Sequence, residues 1–324
     1  MKLASFRHHG RDRLGFAAGD GLVEIEVVAR AMRKAAIPLH DMIALIESGE
    51  GGLRYLRDAH AFVAKNPKLV SLIDFSEVEW HPPVRRPSKI LGIALNNSAS
   101  DARKISAPQH PLFFMKPASS LVGHGGEIVV HDYYGSVHPE PELAVVIGKH
   151  CRDVKAEDAY DVVYGYSIFN DMTGSAMRAE DRVHYYALYP RKDDPTKVEQ
   201  VEQHLSYAAR YKGADTFAPM GPWLATKDEV TDPHALEVRC WHKDELIAED
   251  STAYYKYTVP KAIEFITRFH SLWPGDVIAM GTAFRPGGAR RSLHTADVTK
   301  YGGPVKVEIT GLGTLVNPVR RVGA

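Results

Sequence analysis

The chain has 324 residues, enough for one large domain or two, and its 40 Lys and Arg residues balance 40 Asp and Glu residues. Without a basic excess, we expect neither nucleic acid nor anionic lipid as a partner. No run approaches the ~20 apolar residues of a membrane helix, and the start of the chain lacks the apolar core of a signal peptide. The only two cysteines, Cys151 and Cys240, stand far apart. This pattern predicts a soluble cytoplasmic protein.

The first 80 residues differ in pattern from the rest of the chain. Two strand-like runs, LASFR and GLVEIEV, flank the turn-rich FAAGDG, and the helical stretch PLHDMIALIESGEGGLRYLRDAHAFVAKN follows. HPPVRRPSK, residues 81–89, holds three prolines and three basic residues and is typical of a linker. We therefore predict a small N-terminal α/β domain over residues 1–80 and a main domain over residues 81–324.

The main domain is predicted to be mostly strand. Its short apolar runs, bounded by Gly, Pro, Asn or Asp, are KILGIAL, LFFMK, EIVVH, ELAVVIG, GYSIFND, LEVRCWH, DVIAMGT and VKVEITGLGTL. The two clearest helical stretches are KAEDAYDVVY and VPKAIEFITRFH. Because strands outnumber helices without regular alternation, the fold class should be α+β, mainly β: a sheet sandwich or roll with peripheral helices.

Residues 179–210 fit this pattern poorly. The stretch AEDRVHYYALYPRKDDPTKVEQVEQHLSYAAR is charged, rich in tyrosine and placed between two segments that look structural. A long excursion of this kind is typical of a surface insertion or of a lid over a site.

Acidic residues stand at the ends of two predicted strands. In HPEPELAVVIGKH, Glu140 and Glu142 are two residues apart and therefore share a strand face with His138. Asp171 ends GYSIFND. If the three carboxylates converged in a buried place, a cation would be needed to keep them ionised, and oxygen ligands favour Mg²⁺, Mn²⁺ or Ca²⁺ over zinc. Such glutamate pairs are also common on exposed strands, so the pattern alone does not decide.

Several motifs in a fixed order extend this observation. ExELAVVIG, GYSIFND, KGADTFAPMGPWL, PGDVIAMGT and GLGTLVNPV together resemble the fumarylacetoacetate hydrolase family over most of residues 85–324, and MKLASF with GDGLVEI resembles the small N-terminal domain of longer members. The resemblance implies a β-sandwich roll, a homodimer, and a divalent metal held by Glu140, Glu142 and Asp171. Asp171 follows Glu142 by 29 residues, as expected from the family. Mg²⁺ or Mn²⁺ is the implied cofactor, with Ca²⁺ also compatible.

The family also implies a chemistry. Its substrates carry a 2-oxo acid or 1,3-dicarbonyl group, and a bound cation can stabilise the enolate left when a carbon–carbon bond breaks. We therefore expect a metal-dependent hydrolase that cleaves such a bond in an acylpyruvate-like small molecule, in the catabolism of an aromatic or other ring compound. A decarboxylase, hydratase or isomerase using the same enolate is the first alternative. A non-catalytic 2-oxo acid binding protein is the second.

Further site residues follow from the same resemblance. Lys212, in KGADTF, matches the lysine that donates to the developing oxyanion. Gly281 and Thr282, in AMGTAF, match a loop that contacts the ligand, although a plain turn would look the same. Lys116, in FFMKPASSL, sits in a family-like motif and could bind substrate or only support the cleft.

The chain departs from the family pattern at two places. One carries a cationic side chain in the family, and the other carries the base that activates water. The family carries Arg and Gln where this chain has Ser175 and Arg178, so Arg178 could act as a carboxylate clamp or be a surface residue. Family hydrolases also use a His and Glu dyad to activate water, where LGIALNNSASDARKI places Ser98 and Asp101. A serine cannot accept a proton at neutral pH as imidazole can.

The missing imidazole leaves three possibilities. Asp101 could act as the base, especially if burial raises its pKa. His184, in the 179–210 segment, could close over the cleft and replace the imidazole. Alternatively the reaction needs no activated water, as in decarboxylation or tautomerisation.

Overall fold

The computed structural model describes residues 1–34, 41–285 and 293–323. Within these ranges the helices are short, except for one of 17 residues. They are α1 Ile25–Ala31, α2 Met42–Glu47, α3 Gly49–Lys65, α4 Ser175–Glu180, α5 Ala209–Gly213, α6 Val259–Thr267 and α7 Val298–Tyr301. None of the helices in these ranges is both long and apolar enough to span a bilayer.

Strands make up most of the regular structure. Strands β1–β5 are Lys2–His8, Arg11–Ala18, Gly21–Glu24, Ile73–Asp74 and Glu79–Trp80. Strands β6–β13 are Ile90–Ala94, Leu112–Lys116, Leu121–Val122, Ile128–His131, Val137–His138, Pro141–Ile147, Val163–Asn170 and Thr173–Gly174. Strands β14–β22 are Arg182–Pro190, Val198–Ser206, Ala218–Thr226, Glu237–His242, Glu245–Ser251, Val277–Thr282, Val305–Ile309, Gly313–Asn317 and Val319–Val322. The prediction of an α+β, mainly β fold is confirmed.

One large sheet organises the molecule. Its strands run in the order β4-β3-β2-β1-β16-β12-β11-β19-β6-β7, with β5 beside β1 and β8 beside β16. Strand β11 lies at its centre, antiparallel to both β12 and β19, and all seven of its residues are buried. A strand covered on both faces needs a continuous apolar run, and ELAVVI supplies one. The register places the start of β11 beside the ends of β12 and β19.

Side chains on the two faces of β11 pack into two different hydrophobic cores. Leu143 and Val145 pack into a core shared with the second sheet, whose strands run in the order β18-β17-β20-β21. Ala144 and Val146, which point the opposite way, pack into a core with residues of α2 and α3. The fold is therefore a sheet sandwich on one side and a helix-covered sheet on the other.

The N-terminal segment joins this architecture through β1. Leu3 lies opposite Leu224 of β16, and the backbone N–H of Thr226 donates to the Met1 carbonyl at 2.8 Å. Leu3 and Phe16 share a core with Phe169 of β12. The division into domains at residue 80 stays a prediction, while the large sheet runs continuously across it.

The structure confirms one of the two predicted helices and changes the type or bounds of other predicted elements. α6 forms where VPKAIEFITRFH predicts it. KAEDAYDVVY, by contrast, forms a 3-10 helix over Ala156–Val162, and β12 begins at Val163 because the remaining residues pair with neighbouring strands of the large sheet. In GLVEIEV the strand ends at Glu24 and helix α1 begins at Ile25.

The 179–210 segment contains a two-stranded hairpin. β14 and β15 pair with each other along nine residue pairs, from Arg182 with Ser206 to Pro190 with Val198. Most of its side chains are exposed, including the large apolar side chains of Tyr186 and Leu188. The segment is therefore a projecting insertion, and its action as a lid remains a prediction.

Candidate metal centre

Three carboxylates meet where β11 begins and β12 ends. Pro141 lies opposite Asn170, the backbone N–H of Asp171 donates to the Glu140 carbonyl at 2.8 Å, and Asn170 Oδ1 accepts from the Glu140 N–H at 3.0 Å. One oxygen each of Glu140, Glu142 and Asp171 lies within 4.8 Å of the others. Ligand distances of about 2.0–2.6 Å would let one hard divalent ion reach all three oxygens.

Two lysines reach into this cluster. Lys212, buried on α5, donates to Glu140 Oε2 at 2.9 Å, to Thr173 Oγ1 at 2.7 Å and to Asp171 Oδ2. Lys116, buried at the end of β7, donates to Asp171 Oδ1 at 2.6 Å and to the Lys212 carbonyl. The two ammonium groups therefore compensate the charges of Glu140 and Asp171.

Burial affects the two ammonium groups differently. It lowers the pKa of Lys116, although Asp171 opposes the effect. Burial would also lower the pKa of Lys212, but the carboxylates of Asp171, Glu140 and Glu142 outweigh it and hold that pKa above its ordinary value. Lys212 is thus a fixed positive charge inside the site.

Among the described residues, Glu142 is the carboxylate of the cluster to which neither lysine donates a hydrogen bond. Among the residues that the structure describes, the hydrogen bond given to its Oε2 comes from the Gly281 N–H at 2.8 Å. Burial and the nearby Asp171 charge raise the pKa of Glu142 well above its usual range. Burial also opposes ionisation of Glu140, but the Lys212 ammonium and the His138 hydrogen bond outweigh it, so the pKa of Glu140 is depressed.

This donor set fits a hard divalent cation. It consists of three carboxylates, two of them almost fully buried, and burial raises the pKa of Glu142 despite the charge of Lys212. Lys212 and Lys116 already bond to oxygens of Glu140 and Asp171, so an ion would share those oxygens with the ammonium groups. Each carboxylate oxygen has two lone pairs, which permits this sharing.

The end of β19 holds Glu142 in place. Gly281 has φ +84°, and a Cβ there would lie 2.8 Å from the Ile93 carbonyl oxygen. Thr282 lies opposite Glu142 in the sheet, with its side chain partly accessible, and its carbonyl accepts from Asn97 Nδ2 at 3.3 Å. The structure thus places Gly281 and Thr282 beside Glu142, and their contact with a ligand stays a prediction.

The two residues at the family's water-activating positions lie at the surface. Ser98 and Asp101 lie in the 3-10 helix Ser98–Arg103 and are both exposed. Asp101 pairs with Lys104 at 2.7 Å and with Lys256 at 3.5 Å. The Lys104 hydrogen bond lowers the pKa of Asp101. The expectation that burial raises the pKa of Asp101 is therefore wrong, because two lysines at the surface stabilise its charged form.

Two other predicted residues lie outside the carboxylate cluster. Arg178 is exposed on α4 and has no ion pair or hydrogen bond with the described residues, so the structure does not assemble the expected clamp. His184 is exposed on β14 and pairs with Glu202 at 2.6 Å. Within the described part of the chain, neither contacts Glu140, Glu142 or Asp171.

A different imidazole lies beside the cluster. His138 is buried, with Nε2 3.2 Å from Glu140 Oε1 and Nδ1 2.8 Å from Ser175 Oγ. The ring of His294 lies 4.1 Å from the ring of His138. The alternation in HPEPE already places His138 on the face of the glutamates, whereas no sequence signal marks Thr173, which binds Lys212, or His294.

Comparison with known proteins places the chain in a family. Residues 89–320 match the family model described as fumarylacetoacetate (FAA) hydrolase C-terminal. The chain belongs to the fumarylacetoacetate hydrolase family. The expected family is therefore confirmed.

Family members similar over nearly the whole chain are enzymes of more than one kind. The human oxaloacetate tautomerase FAHD2A, named as mitochondrial, is 30% identical over 98% of this chain and 91% of its own length. Oxaloacetate tautomerase YisK of Bacillus subtilis is 27% identical over 98% of this chain and 100% of its own. Maleylpyruvate hydrolase from Sphingobium sp. SYK-6, solved with manganese(II) and pyruvate, is 29% identical with a TM-score of 0.70, covering 99% of each chain.

The opposite pKa shifts of the two glutamates predict opposite effects on metal-free stability. A raised folded-state pKa costs stability as pH rises above the ordinary pKa of glutamate, whereas a depressed one adds stability there. Glu142→Gln should therefore raise the melting temperature of metal-free protein at pH 7 by a few degrees, and Glu140→Gln should lower it. Thermal unfolding in chelator measures both, and equal shifts of the same sign would contradict this charge assignment.

The backbone of Gly281 is predicted to matter for metal binding. Gly281→Ala forces a side chain into left-handed backbone, costing about 1–2 kcal/mol, and displaces the N–H that orients Glu142. Mn²⁺ affinity measured by calorimetry should fall. Gly275→Ala, at φ +87°, is the matched control with similar strain away from the cluster, and it should destabilise without changing Mn²⁺ affinity. Equal Mn²⁺ affinity in both variants would contradict the role of this N–H.

Proposed function

We propose that this protein is a divalent-metal-dependent enzyme that interconverts the keto and enol forms of a small 2-oxo dicarboxylic acid such as oxaloacetate. The observation that supports this proposal most is the buried cluster of three carboxylates with the fixed charge of Lys212. The curated relatives FAHD2A and YisK, both named oxaloacetate tautomerases, match 98% of the chain.

Glu140, Glu142 and Asp171 would hold the metal, Mg²⁺ or Mn²⁺, with Ca²⁺ as a further hard ion that fits the same donors. When bound, such an ion supplies Lewis-acid polarisation of a 2-oxo group and favours the enolate. The remaining chemistry belongs to side chains of the protein.

Lys212 is the proposed donor to the substrate oxygen that gains negative charge. It remains an ammonium because the surrounding carboxylates raise its pKa, and it is held at three acceptors before any substrate arrives. A donor fixed in advance costs little reorganisation during reaction. The Thr282 hydroxyl, beside Glu142 in the sheet, is the proposed partner of a substrate carboxylate.

Tautomerisation suits the surroundings of this cluster better than hydrolysis. The ring of Phe114 lies 5.1 Å from Lys212 Nζ, so the surface beside the proposed donor is apolar there. The same ring packs against Gly92, where a Cβ would come within 2.5 Å of it. Asp101, at the position of the family's water-activating glutamate, is exposed, and Lys104 lowers its pKa. A low pKa makes Asp101 a weak base, and keto–enol exchange requires no activated water.

The test is the rate at which enol-oxaloacetate converts to the keto form, followed by the ultraviolet absorbance of the enol. With Mg²⁺ or Mn²⁺ the protein should accelerate this conversion well beyond the free ion. Lys212→Met should lower kcat by roughly 10²–10³, as for the loss of one oxyanion donor. Because Lys212 competes for Glu140 and Asp171, the same change should leave Mn²⁺ affinity equal or higher.

Lys34→Met is the matched control for this experiment. It removes an ammonium that pairs with exposed Asp58, outside the cluster, and it should leave turnover unchanged. No acceleration by the wild-type protein over metal alone would reject the tautomerase. Pyruvate formation would instead indicate a decarboxylase, and tight binding of oxalate without turnover would indicate a binding protein.

A carbon–carbon bond hydrolase is the second candidate. The observation that favours it is the similarity to maleylpyruvate hydrolase of Sphingobium sp. SYK-6, which covers both chains almost completely. On this proposal the substrate is an acylpyruvate-like compound from aromatic or ring-compound catabolism, and Asp101 handles water after a rearrangement of its loop. Label from ¹⁸O-water should then enter the new carboxylate of the product, and Asp101→Asn should abolish its formation. Unchanged turnover in Asp101→Asn would reject this role.

Two further expectations accompany the proposed enzyme. We expect a homodimer, as the family resemblance implies. We also expect the enzyme to act in the cytoplasm on a small molecule.

A further inference from the structure

The projecting hairpin carries a second cluster of metal-ligating side chains. His184 on β14 lies directly opposite His204 on β15, and Glu202 is two residues before His204 on the same strand face. Glu202 Oε1 lies 2.6 Å from His184 Nε2 and 3.6 Å from His204 Nε2. The two imidazole rings stack with centroids 4.0 Å apart.

The geometry of this cluster is close to that of a three-ligand metal site. One ligand atom of each residue lies within 4.8 Å of the others, and all three side chains are about half exposed. Zinc binds imidazole nitrogen and carboxylate oxygen at roughly 2.0–2.2 Å, so small side-chain rotations would bring all three onto one ion. Exposure provides the path by which the ion enters.

The donor types distinguish this cluster from the carboxylate cluster. Two imidazoles and one carboxylate suit Zn²⁺, whereas three carboxylates suit Mg²⁺ or Mn²⁺. The donor types therefore favour different ions at the two places.

We propose that His184, Glu202 and His204 form a zinc site that links the two strands of the hairpin. An isolated two-stranded hairpin is at best marginally stable in water. The three ligands come together only when β14 and β15 are paired in this register, so binding energy stabilises the paired state. Three protein ligands leave a fourth position for water. The proposal does not depend on the reaction catalysed at the carboxylate cluster.

Equilibrium dialysis of the untagged full-length protein against Zn²⁺, in excess Mg²⁺ to fill the carboxylate cluster, tests the site by elemental analysis. Wild-type protein should retain one zinc per chain. His204→Ala should weaken zinc binding by about tenfold or more, since loss of outer contacts to a ligand alone can cost that much. Glu202→Gln provides a second variant that preserves side-chain shape.

The matched control is Gln200→Ala. Gln200 lies two residues before Glu202 on β15 and therefore shares its face, but it is not one of the three ligands. It should bind zinc as the wild type does. Zinc retained by His204→Ala but lost by Glu142→Gln would overturn the proposal, because the ion would then occupy the carboxylate cluster.

A second measurement tests the link between the strands. Arg191 and Lys192 follow β14 at the tip of the hairpin, where trypsin can cleave. Zinc should slow this cleavage several-fold in the wild type and in Gln200→Ala but not in His204→Ala, as followed by mass spectrometry of the intact protein. Cleavage at the same rate with and without zinc in the wild type would overturn the stabilising role.

Discussion

The antiparallel pairing of β11 with β12 is the constraint on which the candidate metal centre depends. This register sets Pro141 against Asn170, which brings Glu140 and Asp171 to the same edge of the sheet although 31 residues separate them in sequence. A shift by one residue would turn Glu142 away from that edge. The register is in turn fixed by the alternation of Leu143 and Val145 into one core and of Ala144 and Val146 into another. Apolar packing therefore determines where the charges meet.

Charge compensation in the cluster is divided between the protein and an ion. Lys212 and Lys116 hydrogen-bond Glu140 and Asp171, so these two carboxylates can be buried without metal. Glu142 receives a backbone N–H instead of an ammonium, and its raised pKa shows that its charge is disfavoured. Glu140 and Asp171 thus have ammonium partners within the protein, whereas burial and the nearby Asp171 charge disfavour ionisation of Glu142. This division would make metal binding stronger as pH rises through the pKa of Glu142.

The family resemblance points to the carboxylate cluster and to Lys212. The residues alone indicate only that Glu140 and Glu142 share a strand face and that Asp171 ends another strand, a pattern that exposed strands also show. Roles that depend on where a side chain turns in three dimensions were not accessible. Arg178 follows the metal-site aspartate closely in sequence, yet the helical turn of α4 carries it to the surface. Asp101 stands in the expected motif, but Lys104 and Lys256 fix its charge at the surface. His294 is 156 residues from His138, so only tertiary packing brings the two rings together.

The choice between tautomerisation and hydrolysis depends on which groups accompany a shared metal site. Both reactions pass through an enolate that a cation can stabilise, so three carboxylates alone cannot distinguish them. Hydrolysis additionally requires a base that positions water. In this chain the loop carrying Ser98 and Asp101 is tied to the site by Asn96 and Asn97, whose amides donate to the carbonyls of Met280 and Thr282. Those bonds hold the backbone of the loop close to the carboxylate cluster, while the Asp101 side chain faces solvent. Among the described residues, this loop therefore brings its backbone, and not the Asp101 carboxylate, to the carboxylate cluster, and the imidazole beside the cluster is that of His138.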